Sequence, residues 1–282
     1  MRWTIYKYNN NTSKLKYIIT LLLLCMSTQA FGDNEIDIEQ VAQGDNLTLD
    51  LTQEGYNNDI FFSIGDGDNI SVEIFQIGNN QEIGYANDSP GWGSGVAWGG
   101  DIDYDGQTLK LYQNCTKTTC NKNDIQFHVS YGTGNKVWWA QGFEIDSRTD
   151  TNWSKDSAEG GGHYVTVDIH GNNNSVVGVQ RNCSAGSCDG HSARIYVYGD
   201  DNDVFGRQKA DDSKEFYLTI LNDDNTVDYL QDGHGEHTAT ITLTGTYGTD
   251  LDFVQHSNTT QSYTLTQNCI TSGGCSITIT QD

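Results

Sequence analysis

The sequence predicts an all-β protein, folded as a flat two-sheet β-solenoid whose rungs of about 23 residues run strand-turn-strand-turn. A Gly-x-Asn signal begins at Gly44, Gly55, Gly67 and Gly78, at intervals of 11, 12 and 11 residues. A stricter signal, Gly-x-x-Asn-x-Val-x3-Gln, recurs further along the chain, from Gly132 onward. Glycine accounts for 31 of 282 residues, and there is a single proline, outside the repeats. A fixed period of this length is the signature of a repeat architecture, so the repeat decides the fold.

The strands and turns of one rung follow from the unit HYVTVDIHGNNNSVVGVQ. Residues 165–169 alternate apolar and polar side chains, which is the pattern of a strand with one buried face. Gly171 and Asn174 then bring turn chemistry, because glycine adopts positive φ freely and asparagine tolerates the left-handed region. A second strand places Asn174 and Gln180 on one face. Such a rung cannot bury its apolar face alone, so it must stack on its copy about 4.8 Å away.

Stacking predicts inward rows of side-chain amides, each donating to one neighbouring rung and accepting from the other. A buried amide without its neighbour costs about 1–3 kcal/mol, so the rows favour the addition of rungs from the same or another chain. The open end rungs then serve as templates for the next subunit. The predicted amide rows comprise Gln53, Asn58, Gln76, Asn135, Gln141, Asn174, Gln180, Asn202, Gln208, Asn225, Gln231 and Gln255. The predicted turn glycines are Gly44, Gly55, Gly67, Gly78, Gly132, Gly171 and Gly199.

Residues 1–30 have the features of a secretory signal peptide. They contain four basic residues and no acidic residue, and the basic residues precede an apolar run over residues 17–26. This order is typical of an export signal, and cleavage fits after either Ala30 or Gly32. The sequence therefore predicts a secreted protein whose repeat domain spans residues 31–282.

The strong negative charge restricts the partners. The chain has 15 basic and 38 acidic residues, and removal of residues 1–30 would leave 11 basic residues and a formal charge of −27. Nucleic acid is not an expected partner, because binding to phosphates needs a basic face. Membrane insertion is not expected either, since no second apolar run approaches the roughly 20 residues that a membrane helix needs.

Six cysteines beyond the signal fall into three local pairs. In an exported chain such pairs are expected to form disulfides. Each disulfide would close a short loop and stabilise the folded chain by about 2 kcal/mol. The alternative is a zinc site, but the spacing within each pair is longer than in common zinc knuckles. The pairs are Cys115 with Cys120, Cys183 with Cys188, and Cys269 with Cys275.

The repeat resembles that of the curlin family, S-x5-Q-x-G-x-G-N-x-A-x3-Q, over about residues 40–281. The resemblance implies a β-solenoid subunit of extracellular functional amyloid fibres in bacterial biofilms, which acts by self-assembly and surface adhesion. It also implies other curlin-like subunits and an outer-membrane export machinery as partners. The matching positions are Gln53, Gly55, Asn58, Gln76, Gly78, Gly132, Asn135, Gln141, Gly171, Asn174, Gln180, Gly199, Asn202, Gln208, Asn225 and Gln231.

The chain also departs from that family. The leading glutamine of the motif is replaced by Ser130, Ile169 and Val197 in three units, and the alanine of the motif is valine or isoleucine here. Insertions are predicted near residues 81–106 and 144–162. These departures leave open whether such a subunit nucleates or elongates a fibre.

An acidic segment has two alternative interpretations. Asp101, Asp103 and Asp105 have the opening spacing of a calcium loop, but the twelfth position is Tyr112 rather than glutamate, so a solvated acidic turn is the competing interpretation. No other cofactor is expected.

Tryptophans could provide stacking faces for sugar rings. The alternative function is thus a monomeric adhesin or carbohydrate-binding module for surface polysaccharide. By alternation, Trp139 should face the core and Trp138 should face outward. No catalytic constellation stands out, so an enzyme is not predicted. The tryptophans considered are Trp92, Trp98, Trp138, Trp139 and Trp153.

Overall fold

The fold comes from a computed structural model. The structure describes residues 2–6, 35–40, 48–51, 53, 59–64, 71–74, 76, 81–83, 108–113, 123–130, 132–142, 161–181 and 190–282.

Every regular element among these residues is a β-strand, which confirms the all-β prediction. No helix in this part of the chain has the length and apolar character to span a membrane. The strands are β1 Arg2–Tyr6, β2 Glu35–Gln40, β3 Thr48–Leu51, β4 Asp59–Ile64, β5 Ser71–Ile74, β6 Gln81–Ile83, β7 Thr108–Gln113, β8 Asn123–Ser130, β9 Lys136–Gln141, β10 Tyr164–His170, β11 Ser175–Arg181, β12 Ser192–Tyr198, β13 Asp203–Lys209, β14 Lys214–Phe216, β15 Thr226–Asp232, β16 His237–Gly245, β17 Thr249–His256, β18 Gln261–Cys269 and β19 Cys275–Gln281.

From β2 onward the strands alternate between two sheets, which is the β-solenoid that the sequence predicts. One sheet has ten strands in the order β1-β2-β4-β6-β8-β10-β12-β14-β16-β18. The other has nine, from β3 through the odd-numbered strands to β19. All neighbouring strands are parallel, and each strand pairs with its equivalent in the next rung.

The predicted period holds wherever a rung lacks an insertion. In the nine-stranded sheet, Gln208 pairs with Gln231, at a sequence separation of 23. The step from Gln180 to Gln208 is 28, and the step before it, from Gln141 to Gln180, is 39. Insertions therefore enter at the rung corners without shifting the register of the strands. The segments that lengthen these two steps are residues 182–189 and 143–160.

Two details near the N-terminus bear on the predicted boundaries. Strand β1, within the predicted signal, pairs with β2 at the edge of the ten-stranded sheet. Cleavage after Ala30 would remove β1 and make β2 the edge strand. The first residues of the predicted insertion 81–106 form β6, which pairs with β4 and β8.

The core lies between the sheets and consists of stacked apolar columns. Val165, Val167 and Ile169, which the alternation of β10 assigns to the inside, are all 0% exposed. Their partners one rung further, Ala193, Ile195 and Val197, are buried in the same way. One inward face of each strand thus supplies the apolar burial that stabilises the solenoid.

Large aromatic side chains fit between the rungs because glycines stand beside them. Trp139 is fully buried next to Gly178, and a Cβ at that glycine would lie 2.2 Å from the indole ring. Gly206 likewise stands beside Tyr229, where a Cβ would lie 2.1 Å from the phenol ring. These mid-strand glycines are therefore explained by packing between rungs.

Candidate assembly site

A continuous row of glutamine side chains, which we call the glutamine ladder, runs through the interior of the solenoid. In each step the Nε2 atom donates to the Oε1 atom of the glutamine in the next rung, at 2.7–3.0 Å. All members except the last are 0% exposed. The members are Gln113, Gln141, Gln180, Gln208, Gln231, Gln255 and Gln281.

The sequence prediction included five of these glutamines and omitted Gln113 and Gln281. Their spacing contained the missing signal, since the separation from Gln113 to Gln141 is 28 and that from Gln255 to Gln281 is 26. At the other end of the column, the Nε2 atom of Gln76 lies 3.4 Å from the Oε1 atom of Gln53.

The glutamine ladder also joins the two sheets. The Nε2 atom of Gln208 donates to the carbonyl oxygen of Ser192 at 2.8 Å, and that of Gln231 to the carbonyl oxygen of Glu215 at 2.8 Å. Gln180 makes the corresponding bond to the Tyr164 carbonyl at 3.0 Å. Each amide therefore binds its own column and the opposite sheet, which satisfies a polar group that would be costly in this dry interior.

A second row, the asparagine ladder, contains Asn135, Asn174, Asn202 and Asn225, all four as predicted. Each Oδ1 atom accepts from the backbone N–H and the Nδ2 atom of the asparagine in the next rung, at 2.8–3.1 Å. The ladder ends where Thr249 takes the next position, because only its backbone N–H donates to the Oδ1 atom of Asn225, at 2.9 Å, and no side-chain amide continues the row.

The turn glycines are required mainly by contact between rungs. Gly171 and Gly199 have the expected positive φ, at 122° and 151°, but Gly132 does not. A Cβ at Gly132 would lie 1.8 Å from the carbonyl oxygen of Gly171, and one at Gly171 would lie 2.0 Å from that of Gly199. The prediction thus located these glycines correctly. The reason that all three positions require glycine, however, is the close approach of the backbone in the next rung.

An acidic row that the prediction missed lies beside the asparagine ladder. The Oδ1 atom of Asp200 accepts from the backbone N–H of Asn172 at 2.7 Å, and that of Asp223 accepts from the N–H of Asp200 at 2.8 Å. Asn172 accepts in turn from the N–H of Thr133 at 3.1 Å. The second residue of three successive turns is Asn172, Asp200 and Asp223. This recurrence of Asn or Asp was the signal in the sequence.

The prediction also missed a buried column of basic side chains, His163, His191, Lys214 and His237, which we call the basic column. Each stands at or just before the start of a strand in the ten-stranded sheet, and all are at most 1% exposed. The backbone N–H of His191 donates to the Nδ1 atom of His163 at 3.1 Å. The Nζ atom of Lys214 donates to the carbonyl oxygens of Asp212 and Gly235, both at 2.7 Å.

Burial dominates the electrostatics of the basic column. Desolvation lowers the pKa of His163 well below its ordinary value, and the neighbouring His191 lowers it further. Burial also lowers the pKa of His191 to about 3, with a contribution from the positive charge of Lys214. The pKa of His237 is lowered by the same two causes. The column therefore holds neutral imidazoles at pH 7.

The last rung, formed by β18 and β19 and called the terminal rung below, is open on one side among the described residues. Each of its strands pairs with only one neighbour, and its inward apolar side chains are only partly buried. The Nε2 atom of Gln281 ends the glutamine ladder without an acceptor in this part of the chain. The predicted disulfide between Cys269 and Cys275 closes its turn.

The two described tryptophans do not form a sugar-binding face. Trp139 faces the core, as alternation predicts, and is 0% exposed. Trp138 lies on the opposite face of the sheet but is only 8% exposed, packed with Val177 and Phe205 and under the Nζ atom of Lys136 at 3.6 Å from its ring. The expectation that Trp138 faces outward is confirmed, but this outer face carries its own apolar cluster, which buries the ring.

Several predicted sites lie outside the described residues. Within the described part of the chain, no group of three or more histidine, cysteine or acidic side chains is placed to hold a metal ion. The residues outside it are Gly44, Gly55, Asn58, Gly67, Gly78, Trp92, Trp98, Asp101, Asp103, Asp105, Cys115, Cys120, Trp153, Cys183 and Cys188.

Comparison with known proteins adds no relative: no family model, curated protein or solved structure matches the chain at a significant level.

Proposed function

We propose that this chain is a secreted structural subunit of curli-like fibres in the bacterial biofilm matrix, and that its activity is self-assembly by stacking of rungs. The observation that carries the proposal is the glutamine ladder, which runs unbroken over seven rungs and ends at the open terminal rung, where the Nε2 atom of Gln281 has no acceptor among the described residues. The curlin-like repeat of the sequence supports the same function. Its partners would be further copies or similar subunits at the cell surface, delivered by an outer-membrane export machinery.

Physical chemistry favours this function over that of an inert solenoid. Open strand edges present unpaired N–H and C=O groups to a neighbouring chain. Tyr263 and Leu265 of β18, with Ile277 and Ile279 of β19, keep apolar surface that a further rung would bury. Opposing this, the formal charge of −27 that remains without residues 1–30 makes copies repel each other, so association should strengthen with ionic strength.

The test is assembly of the purified chain without residues 1–30. We expect fibres that diffract at about 4.8 Å along their axis and that seed the growth of fresh protein. The variant Gln281→Leu should elongate more slowly, because it removes the donor at the end of the ladder. Thr280→Ala is the matched control, since this outward residue of the same strand is exposed. A chain that stays monomeric at high concentration would refute the proposal.

A further inference from the structure

By strand register, Gln40 and Gln267 stand at the two ends of one column of the ten-stranded sheet, and the described positions between them are apolar residues. Gln40 of β2 pairs with Ile64, and Gln267 of β18 pairs with Leu243. The intervening positions that the structure describes are fully buried from Val129 onward. They are Ile64, Val129, Ile169, Val197, Ile220 and Leu243.

Gln267 stands at the open end of this column. Gln267 faces inward beside Leu243, which has no polar atom in its side chain. Among the described residues, no group makes a hydrogen bond with the side-chain amide of Gln267. A further apolar rung placed on it would trap this amide unpaired, whereas a further glutamine in the same column would satisfy it.

The remaining columns of the two end rungs also correspond. The register places Ile36 and Ile38 of β2 in the columns that end at Tyr263 and Leu265. In the other sheet, Gln53 stands at the start of the column that ends at Gln281. By register, the positions of β2 therefore match those of β18, apolar with apolar and amide with amide, and Gln53 matches Gln281 in the other sheet.

We propose that the terminal rung receives the β2–β3 rung of a second copy in parallel register, and that Gln40 of that copy pairs with Gln267 to fix the register. This inference rests on the proposed function. It adds that the terminal rung of one copy meets the β2–β3 rung of the next, and that the pairing of Gln40 with Gln267 selects this register. Placing any of the apolar rungs of the column on Gln267 instead would weaken the junction about 5- to 150-fold, because one buried amide would lose its hydrogen bonds. Strand β1 occupies the edge of β2, so residues 1–30 must leave before this junction can form.

The first test is a cross-link between two singly substituted proteins lacking residues 1–30, Gln40→Cys and Gln267→Cys. In-register parallel neighbours have Cα atoms about 4.8 Å apart, within the range that a disulfide spans. We expect a covalent dimer when the two proteins assemble together under mild oxidation. Ile38→Cys with Gln267→Cys is the off-register control, because two residues of displacement open the Cα separation to about 8 Å.

The second test separates pairing from monomer stability. Gln267→Leu should raise the critical concentration for assembly at least about fivefold, since it leaves Gln40 of the next copy unpaired. The double variant Gln40→Leu/Gln267→Leu should recover assembly to within about twofold of wild type, because the junction is then apolar on both sides. Within one chain these residues lie at opposite ends of the sheet, so an effect on folding alone would not be rescued in this way.

The outcomes distinguish this inference from the proposed function. Fibres of wild-type protein without the Gln40→Cys to Gln267→Cys cross-link, or a Gln267→Leu protein that assembles like wild type, would overturn the register pairing and leave the fibre proposal standing. A wild-type chain that never assembles would overturn both.

Discussion

Replacing Gln208 by leucine in the middle of the glutamine ladder tests whether the amide row holds the rungs together. The Oε1 atom of Gln208 accepts from Gln180 at 2.9 Å. Its Nε2 atom donates to Gln231 at 2.8 Å and to the carbonyl oxygens of Ser192 and Lys214 at 2.8 and 3.2 Å. Leucine has similar size but removes all four bonds at once.

The expected cost follows from the groups left behind. Gln180 keeps two backbone acceptors for its Nε2 atom, so it loses only part of its bonding. The Oε1 atom of Gln231 loses its ladder donor in a fully buried position. At about 1–3 kcal/mol for each orphaned buried polar group, offset by the apolar gain of leucine, we expect a loss of about 3 kcal/mol in the free energy of unfolding.

Urea unfolding followed by circular dichroism measures this loss. With an m-value on the order of 3 kcal/mol/M, the midpoint should fall by about 1 M. Gln267→Leu is the matched control in the monomer, since the amide of Gln267 has no partner among the described residues and its neighbour is Leu243. A Gln208→Leu protein that unfolds at the same urea concentration as this control would show that the amide row does not hold the rungs together.

Burial, packing and the disulfide lead to three more predictions. Burial lowers the pKa of His163 and His191 below the ordinary 6.5, so the unfolded chain binds more protons than the folded chain below that pH. The free energy of unfolding should therefore fall by about 1.4 kcal/mol per histidine per pH unit as pH drops from 6.5 towards 3. Equal urea midpoints at pH 7.5 and 5 would contradict this. Gly178→Ala should destabilise the chain by about 2–3 kcal/mol by thermal unfolding, with partial rescue by Trp139→Leu, because the new methyl group meets the indole ring; no rescue would argue against that contact. Replacing both members of the disulfide Cys269–Cys275 by serine should cost about 2 kcal/mol in the same assay, and an unchanged melting temperature would show that the turn needs no covalent closure.

The fold could be predicted from the sequence because two independent periods agree. Alternation fixes which side chains of a strand face inward, as for Val165 and Val167, and the spacing of the glutamines fixes which strands stack. Both signals are local and repeated, so insertions at the corners lengthen the period without hiding it. The glutamine and asparagine ladders follow from the same two signals.

The basic column and the buried Trp138 could not be predicted in the same way. His163 and Lys214 stand at strand starts, next to turns, where polar residues are normally solvated. Their burial depends on contacts with other rungs and strands, such as the bond from Lys214 to the Gly235 carbonyl, which no local pattern encodes. Trp138 occupies an outward position by alternation, and only packing on the outer face of the sheet buries it.

The two ladders run in opposite directions, and this gives the subunit distinguishable ends. From Gln113 to Gln255 each glutamine donates its side-chain N–H towards the C-terminal rung, whereas each asparagine donates towards the preceding rung. The amide dipoles of the two rows therefore oppose each other, which avoids a large uncompensated dipole along the solenoid. At the terminal rung the Gln281 amide offers a donor, and turning it over would break its bond with Gln255. Two terminal rungs facing each other would oppose donor to donor, so only an acceptor from the other end of a second copy continues the row, and a fibre built in this way is polar.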